Sequence, residues 1–166
     1  MEVDLDLALI ERLPSRRPLV IFNLIDAIDG DGRLAPRMPA RLDALGITYT
    51  GCRTSALSAT LSKVGTKRKL AHAGLPTPEW SADGTGLDPD VRVIVKAVWE
   101  HGSLGLDETS VMRCADAPRM VAAHTSRHKT EHFTEVYVEG REFHVALLER
   151  MSGVEVLPII EVLLRA

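Results

Sequence analysis

Lys96 leaves the apolar stretch "VIVKAV" and is followed, in "WEHGSLGL" (99–106), by Gly102, Ser103 and Gly105. Glycines let backbone N–H groups approach a ligand closely, and a nest of such groups binds phosphate oxygens. Lys96 would add a charge-assisted hydrogen bond, typically about 1.5–3 kcal/mol. An ordinary hairpin with glycines in its turn has the same pattern. Lys63, in "LSKVGTKRKL", reads by itself as a solvated helix lysine. In "TEVYVEGREFHVALLE" (134–149) an apolar/polar alternation runs to Val138, breaks at Glu139-Gly140 and resumes at Phe143. Glu135 and Glu142 bracket that break. They could accept hydrogen bonds from an adenine amine and from ribose hydroxyls, respectively, with Val138 offering backbone groups at the interrupted edge. A polar-faced hairpin is the competing reading.

Other candidate chemistry is weaker. "GDGRLA" (30–35) mimics the G-x-G-x-x-G/A dinucleotide fingerprint. Its context is wrong, because "LIDAI" separates it from the preceding strand, Asp26, Asp29 and Asp31 would repel phosphate, and Pro36 follows at once. No G-x-x-x-x-G-K-[ST] occurs. "HTSRHKTEH" spaces His124, His128 and His132 four apart, which on one continuous helix would make a metal-binding face. Thr130 to His132 fall beyond the expected helix, so the three are read as a solvated, partly protonated helix end. His101 and Ser103 lack an orienting third group for nucleophilic catalysis.

The composition bounds what can carry these groups. The chain has 166 residues, 45% hydrophobic and only 4% aromatic, so its core must be mainly aliphatic. Its net charge of −3 offers no general attraction to nucleic acid or anionic lipid. No apolar run approaches the roughly 20 residues of a membrane span, and the acidic start "MEVDLDLALIERL" is not a signal peptide. Two distant cysteines, Cys52 and Cys114, make no disulfide framework and fit a reducing cytoplasm.

The elements expected to position the candidates fall into two styles. A helix over 3–13, ended by Pro14 and Pro18, precedes "LVIFNL" (19–24), a run with the character of a buried parallel strand. A helix over 39–45, stopped by Gly46, leads to a strand "ITYT" (47–50), so the beginning reads as parallel α/β. Next come a helix over 54–73 with a break near Gly65, a strong β-branched strand "VRVIVKAV" (91–98), and a return strand "TSVMRC" (109–114). Asp116 is placed to cap a helix over 117–128. Three strands, "HFTEVYV", "REFHVALLE" and "GVEVLPIIEVLL", close the chain, so the later part reads as α+β.

Taken in order, "ARLDALGITYTG" (40–51), "ALSATLSKVGTKRKLAHAGLPTP" (56–78), "VIVKAVWEHGSLGL" (93–106), "EVYVEGREFHVALL" (135–148) and "VLPIIEV" (156–162) resemble the D-alanine–D-alanine ligase family of ATP-grasp enzymes. The resemblance covers about 19–162. It implies an ATP-grasp fold, α/β then α+β: a partial N-terminal α/β unit over 1–53, a nucleotide-binding lobe over 54–136 and the beginning of a C-terminal lobe over 137–166. By matching position, Lys63 and Lys96 would contact phosphates or the adenine edge, and Ser103 would cover the phosphates. Glu135 and the backbone near Val138 would face adenine, and Glu142 the ribose.

In such enzymes ATP phosphorylates a substrate carboxylate, an amine attacks the acyl-phosphate, and two magnesium ions spread the transferring charge. The partners implied are ATP and a small amino-acid-like carboxylate, with room for a homodimer and with neither nucleic acid nor membrane. Ala97, Gly102 and Ser62 depart from residues usual in the family. The magnesium-binding carboxylates and asparagine would fall after Ala166, leaving no catalytic or metal-ligating residue within the sequence. The resemblance therefore implies a ligase that is inactive as this chain alone; the alternative is a non-catalytic, regulatory or assembly module of the same fold.

Overall fold

A computed structural model describes residues 10–16, 18–101 and 105–163. Its centre is an antiparallel four-stranded sheet: β1 (Trp80–Ser81), β4 (His132–Val136), β2 (Arg92–Ala97) and β3 (Val111–Arg113), in the spatial order β1-β4-β2-β3. The β-branched run "VRVIVKAV" thus becomes an interior strand, with five pairs to β4 and three to β3. Side chains alternate across a pleated strand. Val93, Val95 and Ala97 of β2 are buried on one face, where Val93 packs with Cys114 and Ala117 at the start of helix α5 (Ala117–His128). The opposite face carries Ile94 and Lys96 of β2 with Phe133 and Glu135 of β4. Phe133 there packs with Val64 of helix α4 (Lys63–His72) and with Val98, flanked by Trp80 and Trp99. The sheet is therefore sandwiched between α4 and α5.

The helices form nearly where the sequence places them, with different terminators. The expected single helix over 54–73 is two helices, α3 (Thr54–Thr60) and α4, and the break is at Ser62 rather than Gly65. Ser62 is the N-cap of α4, its hydroxyl accepting a hydrogen bond from the Gly65 N–H at 3.1 Å. Asp116 precedes α5 but makes no side-chain cap. A 3₁₀ turn over Cys114–Asp116 runs straight into the helix, and Pro118 in the first turn removes a donor that would need capping. Glycines with positive φ, Gly46 and Gly74, follow α2 (Arg37–Ala44) and α4 as expected.

The first part differs more. Helix α1 (Leu13–Arg16) contains Pro14 instead of ending there, since proline is tolerated in a first turn. "LVIFNL" is not a buried strand. Only Ile21 pairs, in a parallel bridge with Tyr49, while Leu19, Phe22 and Leu24 are exposed. The small core of this part joins Ile10, Leu13 and Leu42 with Ile21, Met38, Leu45, Ile47 and Tyr49.

At the other end, the strands expected in "REFHVALLE" and "GVEVLPIIEVLL" each split. β5 (Glu142–His144) pairs with β8 (Ile160–Val162), and β6 (Leu147–Arg150) with β7 (Gly153–Val156), as two separate ribbons. Pro158 interrupts the second run, because proline has no N–H to give a ladder. Among the described residues no helix is long and apolar enough to cross a membrane.

The turn joining β1 to β2 is held against α5 through Gly84. Its φ is +85°, and a Cβ there would lie 2.8 Å from the Pro118 nitrogen and 2.9 Å from the Ala117 carbonyl carbon. Both are backbone atoms that cannot swing aside. Gly84→Ala is expected to destabilise the chain by about 1–3 kcal/mol, from the strained φ together with the clash. A urea unfolding midpoint unchanged from the parent would refute that.

Candidate active site: a lysine-rich cleft around Glu135

Helix α4 presents Lys63 and Lys67 one turn apart, so both lie along the side that faces the sheet. Val64 and Lys67 are its buried residues. Opposite them, Glu135 projects from β4 on the same face as Phe133, and Lys96 projects from β2 diagonally across the ladder, where Ile94 is paired with Glu135 and Lys96 with Phe133. Glu135 joins the elements. One carboxylate oxygen accepts from Lys96 Nζ at 2.6 Å and the other from Lys67 Nζ, also at 2.6 Å. Lys67 Nζ further donates to Thr77 Oγ1 at 2.9 Å and stands 5.5 Å from the Trp80 ring centroid.

These are interior ion pairs. Only 6% of Lys67 is exposed, and 13% of the Glu135 side chain. Burial alone would raise the Glu135 pKa. The hydrogen bonds from Lys67 and Lys96 outweigh it and hold the carboxyl below its usual range, ionised at neutral pH. Lys63 is not paired with a carboxylate. Its ammonium donates to the Ala97 carbonyl at 3.0 Å and to the Glu100 carbonyl, closing the end of β2. Burial, and then the neighbouring Lys96 charge, lower its pKa.

Thr60, Lys63, Thr66, Lys67, His101, Phe133 and Glu135 line a cleft of about 310 Å³, at the small end of the roughly 300–1,000 Å³ range of ligand pockets. Lys63 and Lys67 against Glu135 give the lining one surplus positive charge, Lys96 adds a second where it bonds Glu135 from outside the lining, and Phe133 supplies an apolar wall. The arrangement is suited to an anion attached to an apolar group.

Of the residues singled out from sequence, the structure brings Lys63, Lys96 and Glu135 together here. Val138 and Glu142 lie beyond the end of β4, both exposed, and are not among the residues lining the cleft. Glu142 Oε1 is 3.3 Å from His144 Nε2. Ser103 lies outside the described residues. Lys67, in the basic triplet Lys67-Arg68-Lys69, is the central group that the sequence analysis did not single out. Its four-residue spacing from Lys63 was the available signal. The histidines required a larger correction. His124 and His132 are not solvated: the turn after α5 brings His132, at the start of β4, back beside His124.

No family model matches the chain. It is 36% identical over 146 residues to the uncharacterized protein y4sG of Sinorhizobium fredii, covering 86% of this chain and 42% of that protein. It is 28% identical over 175 aligned positions to the D-alanine–D-alanine ligase of Moorella thermoacetica, covering 96% of this chain and 54% of the ligase. The fold is shared with the D-alanine–D-alanine ligase of Bacillus anthracis solved in complex with ATP, with a TM-score of 0.67 and 18% identity over 98% of this chain and 54% of that one.

The chain is related to the D-alanine–D-alanine ligases, with 34% identity to that of Albidiferax ferrireducens over 73% of this chain and 36% of the ligase. It spans about half the length of these curated relatives.

Proposed function

We propose that this chain carries nucleotide-binding machinery of an ATP-dependent carboxylate–amine ligase of the D-alanine–D-alanine type. The observation that carries the reading is the surplus of positive charge at the cleft: Lys67 and Lys96 share the carboxylate of Glu135, and Lys63, held by backbone carbonyls, lines the same cleft beside the Phe133 wall. A polyphosphate entering the cleft would take charge-assisted hydrogen bonds from these ammonium groups. Lys96 is the most exposed of the two lysines held by Glu135 and is the one freest to turn toward a phosphate. Glu135 retains acceptor lone pairs for an adenine amine, Val138 offers exposed backbone, and Glu142 is the proposed ribose contact.

In the proposed reaction a small amino-acid carboxylate attacks the terminal phosphorus of ATP and releases ADP. An amine nitrogen then attacks the acyl carbon, forming the amide and expelling phosphate. The cleft residues described here would bind and orient the phosphates. They do not fit a magnesium ion, since both oxygens of Glu135, the one carboxylate lining the cleft, are held by lysines.

ATP is expected to raise the melting temperature, since a ligand at 100 times its Kd stabilises the bound state by about 2.7 kcal/mol. Lys96→Gln should abolish most of that shift, and Glu142→Ala should remove it; a normal shift in Glu142→Ala would overturn the ribose assignment. No shift of the parent chain at millimolar ATP would overturn the nucleotide reading.

A second reading, a non-catalytic assembly module, is favoured by one observation: the β6–β7 ribbon exposes Leu147, Leu148, Val154 and Val156. Amino-acid-dependent phosphate release from ATP would exclude it, and its absence, with ATP binding retained, would support it.

A further inference from the structure

On the sheet face opposite Glu135, three imidazoles meet. His124 and His128 lie one turn apart on α5. The helix closes at Lys129, whose left-handed φ of +56° turns the chain back, and three residues later His132 opens β4. The His132 backbone N–H is anchored to Thr125 Oγ1 at 3.2 Å. The ring centroids are 5.4–5.5 Å apart in every pairing, and one ligating nitrogen from each ring lies within 4.8 Å of the other two.

Packing of apolar rings does not account for the nitrogens. His124 is 8% exposed and His132 3%, and His124 Nδ1 and His132 Nε2 are sealed from water with no hydrogen-bond partner. An orphaned buried polar atom is destabilising, and this cluster contains two. The other nitrogen of His132, Nδ1, is 2.9 Å from the Thr130 carbonyl oxygen. A carbonyl only accepts, so Nδ1 carries the proton and Nε2 presents a bare lone pair. A backbone carbonyl fixing one imidazole nitrogen so that the other can ligate is the usual support of a metal-bound histidine. Burial lowers the pKa of both His124 and His132, which favours the neutral, ligating form. Gly105 lies against the third ring: a Cβ there would be 2.8 Å from His128 Nε2, so glycine leaves that nitrogen approachable.

We propose that His124, His128 and His132 bind one Zn²⁺ ion. Imidazole is a borderline donor that suits zinc and disfavours magnesium, whose preference is for oxygen. Tetrahedral zinc with Zn–N of about 2.0–2.1 Å requires nitrogens roughly 3.4 Å apart. Small side-chain rotations therefore close the site, and the fourth position falls to water. The ion would tie the end of α5 to the start of β4, three residues before Glu135. This site shares no residue with the lysine-rich cleft and does not depend on the nucleotide reading.

The test is calorimetric titration of the untagged full chain with ZnCl₂ and, separately, with MgCl₂, together with absorption spectra after adding Co²⁺. The expected result is one saturable Zn²⁺ per chain, no comparable Mg²⁺ binding, and the visible bands of tetrahedral cobalt. His128→Gln, at the half-buried ring, should weaken Zn²⁺ binding by about 100-fold or more, beyond the 10–100-fold typical of losing an outer-shell partner. His144→Gln, at an exposed histidine outside the cluster, should leave it unchanged. Absence of stoichiometric binding to the parent chain overturns the proposal, as does equal affinity in His128→Gln or an equal loss in His144→Gln.

Discussion

Glu135→Ala is expected to lower stability by about 3–5 kcal/mol, the cost of removing one partner from a buried ion pair. The loss comes from what remains. Lys67 is almost fully enclosed, and without Glu135 its ammonium keeps only the Thr77 hydroxyl and the face of Trp80. Lys96 loses its carboxylate in the same step. Glu135→Gln preserves the shape and one acceptor oxygen but removes the charge, so it should fall between the parent and alanine. Urea unfolding of the three proteins checks the order, and an alanine variant within about 1 kcal/mol of the parent would show that the pairs do not hold the sheet to α4.

The same pairs set a pH dependence. The folded-state pKa of Glu135 lies below its unfolded value. Its stabilising contribution is therefore complete at pH values above the ordinary carboxylate range and is lost as pH falls through the depressed folded value. The acid limb of the parent's stability curve should flatten in Glu135→Gln.

Phe133→Ala is the second large expected effect, again about 3–5 kcal/mol. Phe133 is 1% exposed, the largest of the fully buried side chains, and it packs with Val64 and Val98 between the two tryptophans. Phe133 also walls the cleft, so the cavity would open into it. Phe133→Leu should recover much of the loss. Equal unfolding midpoints for the alanine and leucine variants would show that the site collapses freely and that packing at Phe133 is not limiting.

Local chemistry made much of this architecture readable. The β-branched run at 91–98 could hardly be anything but a strand, and the helices over 37–44, 63–72 and 117–128 show their glycines or their periodicity. The order of blocks pointed to the right family before any fold was available. Partnership was what the sequence could not express. "LVIFNL" has the composition of a buried strand, yet burial is a property of what packs against a segment, and only Ile21 finds a strand partner there. The two terminal runs looked like single strands because alternation does not reveal which ribbon each half will join.

The candidate sites divide in the same way. Residue types and spacing by themselves made Lys96 and Glu135 groups worth placing, and the succession of motifs carried the family resemblance, which alone added Lys63. Tertiary structure alone decided that Lys67, a member of an ordinary basic run, would be drawn inside to share Glu135 with Lys96. It also decided that a helix-end histidine pair would be joined by a third ring across a left-handed turn. Helical and strand periodicities act over a few residues, whereas the field and the solvation of a charged or ligating group depend on chain segments tens of positions away. Those segments meet only when the sheet closes between its two helices.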